Sequence, residues 1–242
     1  MQSISILSAA VAAALVVVPS FGAELREQPK AVLELFTSQG CNSCPQADAL
    51  FETLSQRKDL ITLAYHVDYW DYIGWKDTFG SPENTERQRG YAKSWGSSRI
   101  FTPQLVVNGR AGVVGSRSGE VDGAIGGARL PVPVDLTIAD GMIEINVASL
   151  AGGHDATVWL VTYADRQQVS IERGENAGKV IDYISVVTGK QVLGMWDPKD
   201  GSTFKLPLAE LLTKGSDGLV VMIQEENKGL PGPIVGAASY QL

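Results

Sequence analysis

Cys41 and Cys44 are the only cysteines in the 242-residue chain, and just Asn42 and Ser43 stand between them. That spacing brings two sulfurs together across one turn of backbone. It makes a poor structural staple. Closing so short a loop is worth about 2 kcal/mol in the chain-entropy model, against about 4–5 for a very long one. The flanks narrow the reading further. Residues 31–36 form an apolar run of strand length, and 37–40 read as a turn. Pro45 suits a first helical position, where its missing N–H costs nothing. Ala47, Leu50, Phe51 and Leu54 then recur at helical spacing, so an amphipathic helix is expected over 45–57. Residues 61–67 read as a second strand.

The chemistry follows from the position before a helix. A thiolate is the reactive form of cysteine, and a helix N-terminus favours it through free N–H groups and the positive end of the dipole. Cys41 is expected to be the more exposed, attacking thiol. Cys44 is expected to resolve the mixed disulfide and release the partner. Metal binding stays open beside this. Cys41 and Cys44 with His66, one of two histidines, would suit reduced copper, which favours soft thiolates. A closed zinc site would need two further ligands, and no second paired motif is present.

Further along, Ser81-Pro82-Glu83 reads as a helix start, with a capping hydroxyl, a proline and an acid in the first turn. That helix is expected to stop near Gly96. Apolar runs flank Asn108-Gly109, a hairpin signal, and a short helix is expected over 118–125. Thr102-Pro103 opens the first of those runs, an unusual place for proline in a hydrogen-bonded strand. The order of strand, cysteine turn, helix, strand, helix, proline-led strand, hairpin and helix resembles a thioredoxin-like domain. In that layout a cis-proline faces the cysteines, and the backbone before it offers an edge to a substrate. The resemblance therefore adds Thr102 and Pro103 to Cys41 and Cys44 as candidate site residues.

Three stretches carry a more specific resemblance. They are Leu33-Glu34-Leu35-Phe36-Thr37-Ser38-Gln39-Gly40-Cys41-Asn42-Ser43-Cys44-Pro45, Val67-Asp68-Tyr69-Trp70-Asp71-Tyr72-Ile73-Gly74-Trp75-Lys76-Asp77, and Thr102-Pro103-Gln104-Leu105-Val106-Val107-Asn108-Gly109. They resemble a secreted bacterial family catalogued as domain of unknown function 1223, from about residue 30 to the C-terminus. Glu172-Arg173-Gly174-Glu175-Asn176-Ala177-Gly178-Lys179 belongs to the same resemblance. It implies a thioredoxin-like domain with a β-rich companion and supplies no reaction.

The texture changes after residues 126–133, which hold two glycines and two prolines. Residues 134–138 and 142–147 alternate about Ala139-Asp140-Gly141, a hairpin pattern. Residues 157–163, 183–187, 203–206 and 219–224 are further strand candidates, and 209–212 suggest a helical turn. Short strands between turn signals read as an antiparallel sandwich. The fold expected is thus an α/β thioredoxin-like domain over 24–127 followed by an antiparallel β-rich, sandwich-like domain over 132–242. Residues 1–23 read as a signal peptide, with an apolar core and small residues at its end, so export to the periplasm or beyond is expected. An N-terminal anchor is the alternative, and no later segment is expected to span a membrane.

Export sharpens the redox reading, since oxidising compartments let disulfides persist. A formal charge of −7 with no basic cluster argues against nucleic acid or an anionic membrane as partner. Protein or small-molecule thiols and disulfides are the expected partners, with no cofactor. A copper metallochaperone, a binding module without turnover, and a cysteine-dependent peroxidase are the alternatives. The aromatic and acidic stretch 68–77 is expected to pack beneath the following helix or to wall the cysteine groove, with Asp68 or Asp71 as proton acceptor for the thiols. Residues 172–179 read as a solvated turn.

Overall fold

The computed structural model describes residues 24–212 and 215–242, so the expected signal peptide at 1–23 lies outside the described residues. The elements are β1 (Glu24–Glu27), β2 (Ala31–Thr37), α1 (Pro45–Ser55), β3 (Leu60–His66), α2 (Pro82–Ser94), β4 (Gln104–Val107), β5 (Ala111–Val114) and α3 (Ser118–Gly126). After them come β6 (Val134–Ala139), β7 (Met142–Val147), β8 (Ala156–Ser170), β9 (Val180–Trp196), β10 (Ser202–Pro207), α4 (Leu208–Leu211), β11 (Gly218–Asn227) and β12 (Leu230–Gln241). The fold is β-rich, with few helices. Its centre is a mixed nine-stranded sheet in the order β1-β12-β11-β8-β9-β3-β2-β4-β5. A second sheet, β10-β7-β6, has three strands.

The sheet crosses the linker that divides the sequence. Strand β2 pairs in parallel with β3 and antiparallel with β4. Strand β3 then meets β9 in parallel at Ala64 and Val186, joining the first segment to the second. The sequence pattern, with two domains in succession, does not anticipate this join. Nor does it contain strands β1 and β12. Pro231, Gly232, Pro233 and Gly236 punctuate β12 and hide its period, yet it pairs with β11 along most of its length.

Alternation along the strands fixes what covers each face. Val32, Phe36, Ile61, Tyr65 and Val106 point to one side, with Val220 and Met222, beneath Tyr91 of α2. Leu33, Leu35, Ala64 and Leu105 point to the other, against Ala47, Phe51 and Leu54 of α1 and Val121 and Ile125 of α3. On that same side the three-stranded sheet sets Val134, Leu136, Ile143 and Ile145 against Val158, Leu160, Leu219 and Val221, a two-layer sandwich.

Helix α2 is largely polar in sequence, and its buried residues include Asn84, Thr85, Arg87 and Gln88. A polar network explains this. Arg87 Nη2 lies 2.6 Å from the buried Glu34 of β2, and Nη2 also donates to Gln224 of β11 at 3.1 Å. Tyr91 donates to the same Glu34 carboxylate. The Asn108-Gly109 turn is a second stitch. Both residues have positive φ, 47° and 65°, and Asn108 Oδ1 accepts from Val32 N at 2.7 Å while its carbonyl accepts from Ile234 N at 2.9 Å. A Cβ on Gly109 would stand 2.2 Å from the Gly232 oxygen, so no other residue fits there.

Candidate functional site

Helix α1 begins one residue after the cysteine turn, with Cys44 as its cap and Pro45 in the first position. Cys41 and Cys44 are joined in a disulfide, their Cα atoms 5.4 Å apart. Cys44 N donates to Cys41 O at 3.2 Å, and Cys44 O accepts from Ala47 N at 2.8 Å and Asp48 N at 3.0 Å. Ser43 Oγ lies 3.3 Å from Cys41 Sγ and donates to Thr102 O in a long, 3.5 Å bond. The Thr102–Pro103 peptide is cis. Trp70 Nε1 donates to Thr102 Oγ1 at 2.7 Å. The turn of Cys41 and Cys44 and the Thr102-Pro103 segment thus meet through Ser43. Exposure differs from expectation. Cys41 is 1% and Cys44 0% exposed, so neither sulfur is the open one. Asn42 and Ser43 carry the exposed surface of the turn.

Cys41 is buried because remote segments close on its loop. Asn176, itself 1% exposed, donates both amide hydrogens, to Gln39 O and to Cys41 O, each at 2.9 Å. Lys179 Nζ donates to Asn176 Oδ1 at 2.8 Å and sets the orientation of that amide. Residues 172–179 are therefore more than a solvated turn, and Asn176 is a site residue absent from the sequence reading. A lone asparagine between Gly174 and Gly178, both at positive φ, is the available signal. Gln39 is held on its other side. Its Oε1 accepts from Trp75 Nε1 at 2.8 Å, and its Nε2 donates to Thr78 Oγ1 at 2.8 Å.

The aromatic stretch reaches both the following helix and the segments around the cysteines. Tyr69 OH donates to Gln88 of α2 at 3.2 Å, while Trp70 and Trp75 bond to the segments flanking the disulfide. Asp68 and Asp71 are committed elsewhere. Asp68 accepts from Thr85 Oγ1 at 2.6 Å, and Asp71 accepts from Asp77 N at 3.0 Å. The buried acid on the helix that follows the cysteines is Asp48. It lies four residues after Cys44, one helical turn along α1, where side chains share a face. Thr37 Oγ1 donates to Asp48 Oδ1 at 2.8 Å. Burial pushes the Asp48 carboxyl up to about 7, against the opposing pull of His66 and of the Thr37 hydrogen bond.

His66 stands next to Thr37 in the parallel register of β2 and β3. Its ring is fully buried, and Nδ1–H donates to Asp77 Oδ2 at 2.8 Å. Asp77 Oδ2 also accepts from Gln39 N at 2.7 Å. Burial raises the Asp77 carboxyl, but the His66 ring and the hydrogen bonds from His66, Gln39 and Phe79 outweigh it and hold it below 3.8. Asp77 thus links the His66 ring to the residue two before Cys41. Of the copper set weighed above, Cys41 and Cys44 are bonded to each other and His66 is bonded to Asp77. Among the described residues no three His, Cys, Asp or Glu side chains gather as a metal-ligating group.

Comparison with known proteins bears on most of the chain. The family model described as "Protein of unknown function (DUF1223)" matches residues 32–224. An X-ray crystal structure of a protein from Agrobacterium tumefaciens is similar at 38% sequence identity and a TM-score of 0.78, over 89% of this chain and 95% of that one. No curated protein matches the chain. Among the described residues no helix is long and apolar enough to cross a membrane.

Proposed function

The chain belongs to the DUF1223 family, whose description names no reaction, and from that premise we propose that it carries out thiol–disulfide exchange outside the cytoplasm on a thioredoxin-like framework. One observation carries the reading. The only two cysteines form a disulfide at the N-terminus of α1, with Thr102-Pro103 against the same turn through Ser43. The run of β2, α1, β3, α2, β4, β5 and α3 supports the thioredoxin-like framework, because it is the element order that such a domain uses.

The exchange needs no cofactor. A thiolate of the partner attacks Cys41 Sγ, the Cys41–Cys44 bond breaks, and its electron pair leaves on Cys44. Cys44 thiolate then attacks the mixed disulfide, regenerates the Cys41–Cys44 bond and releases the partner, or a second partner thiol completes the reduction. The helix N-terminus stabilises the thiolate. Asp48, titrating near neutrality one turn away, is the proton-holding group beside Cys44. Because Cys41 is buried, the partner must enter beside the exposed Asn42 and Ser43 and displace part of the cover. Protein or small-molecule thiols and disulfides are the substrate class.

The test is a Cys44→Ser trap in the exported protein. It should hold partners as mixed disulfides through Cys41, detected by mobility shift and reversed by dithiothreitol. The parent protein should exchange with glutathione buffers, shown by a two-proton mass difference. A parent disulfide that stays inert to thiols across the whole glutathione range, together with an empty trap, would sink the proposal.

A further inference from the structure

Among the described residues four buried side-chain polar atoms have no hydrogen-bond partner: Asp48 Oδ2, His66 Nε2, Tyr183 OH and Tyr65 OH. Native proteins leave few such atoms, and each one asks for an explanation. The first three come from three different elements, α1, β3 and β9, and they converge. Thr37 and His66 are register neighbours in adjacent strands, and Thr37 Oγ1 anchors the other oxygen of Asp48. Asp48 thus shares the neighbourhood of the His66 ring, whose charge acts on it. Tyr183 meets that ring edge to face, with centroids 4.7 Å apart and planes at 79°. Burial and then the charges of Asp48 and Asp77 raise the Tyr183 phenol, which fits the same neighbourhood. Tyr65 belongs elsewhere, near Arg87 and Glu34 on the opposite face.

We propose that Asp48 Oδ2, His66 Nε2 and Tyr183 OH form an enclosed binding site for a single water molecule behind the disulfide. The chemistry of the donors and acceptors selects this ligand. His66 Nδ1–H is given to Asp77, so Nε2 is the ring nitrogen left for a ligand. Tyr183 OH can donate or accept. Asp48 Oδ2 donates when protonated and accepts when ionised. A ligand for all three must therefore be able both to donate and to accept, and must accommodate an acid that changes role. Water does both, and three partners lie within the two to four that a buried water needs. A divalent cation would need a cluster of ligating side chains, and none is present among the described residues.

The titratable groups facing the site are Asp48 from α1, His66 from β3, Asp77 from the end of the aromatic stretch, and Tyr183 from β9. Asp77 stays ionised and holds His66 Nδ1. Asp48 is the group that switches near neutrality. Below its pKa Asp48 donates to the water, and above it Asp48 accepts from the water. The site absorbs a change of charge by turning one molecule, with no side chain moving. It also ties β9, from beyond the linker, to the helix that carries Cys44. The inference concerns the oxidised protein at rest and does not depend on thiol exchange.

The test is a high-resolution crystal structure of the oxidised protein at pH 6, with water-to-protein NOE spectra in solution. One ordered water is expected within hydrogen-bond distance of all three atoms, with long-lived NOEs to the His66 and Tyr183 rings. Tyr183→Phe should weaken or abolish both signals and lower the melting midpoint by a few degrees, on the order of 2–4 °C. Density for a metal at the site, a direct hydrogen bond from Asp48 to His66, or no density between the three atoms would each overturn the proposal. Should Tyr183→Phe fail to fold, the parent crystal and NOE data decide alone.

Discussion

Replacing Asp48 with asparagine should remove a pH dependence of stability that one carboxyl produces. In the folded chain burial lifts this carboxyl from 3.8 to about 7. The difference is about 3 pH units, and each is worth about 1.4 kcal/mol, giving about 4 kcal/mol in all. The sign follows from proton counting. Between pH 3.8 and about 7 the folded state keeps a proton that the unfolded state has released. Stability from this group is complete below 3.8 and is lost as pH rises to about 7. The amide introduced by Asp48→Asn imitates the protonated form and can still accept from Thr37 through its oxygen, so it carries no such loss. The variant should match the parent near pH 4 and exceed it by about 4 kcal/mol at pH 8. The assay is urea unfolding of both oxidised proteins at intervals from pH 4 to pH 8. The disulfide-bonded cysteines do not titrate, and other carboxylates cancel in the difference. A difference that stays flat to within about 1 kcal/mol would refute the claim that Asp48 is neutral and buried at low pH.

Two further perturbations probe the supports of the site. Asn176→Ala removes both hydrogen bonds to the cysteine loop and leaves the Gln39 and Cys41 carbonyls without that donor, so it should cost about 2–3 kcal/mol. It should also speed reduction of the disulfide by a bulky thiol relative to a small phosphine, and an unchanged ratio of those rates would show that Asn176 does not restrict access. Arg87→Met leaves the Glu34 carboxylate buried and unpaired, at a cost of about 3–5 kcal/mol. Thermal unfolding should show most of that loss recovered in Glu34→Gln/Arg87→Met, and a double variant no better than the single one would mean that the unpaired charge is not the cause.

What is legible in the sequence is local. Apolar spacing and Pro45 place α1, Ser81 places the start of α2, and Asn108-Gly109 places the β4–β5 turn, because each signal lies within a few residues of the structure it specifies. The sequence alone does not show that Ala64 meets Val186, since no local pattern encodes a pairing between distant strands. Strand β12 is hidden for another reason. Its prolines and glycines are there for close packing: a Cβ on Gly236 would stand 2.6 Å from the Val132 oxygen. Asp48 is readable but carries no local flag. Positions 44, 47, 48, 51, 54 and 55 are all buried, so a helical wheel drawn from Cys44 puts an aspartate on the inward face.

These supports change the standing of the residues beyond the linker. A cysteine turn before a helix needs only α1 and β2 to exist as a piece of backbone. Here Asn176 closes the Cys41 loop, and Tyr183 packs on His66, which reaches back to Gln39 through Asp77. Both Asn176 and Tyr183 come from the β8–β9 hairpin. Its loop reaches the disulfide while β9 borders β3. The bonds from Asn176 are made between buried groups, and buried polar groups are costly to leave unpaired. Any motion that opens Cys41 must therefore break bonds to this hairpin, so the second half of the chain controls access to the disulfide.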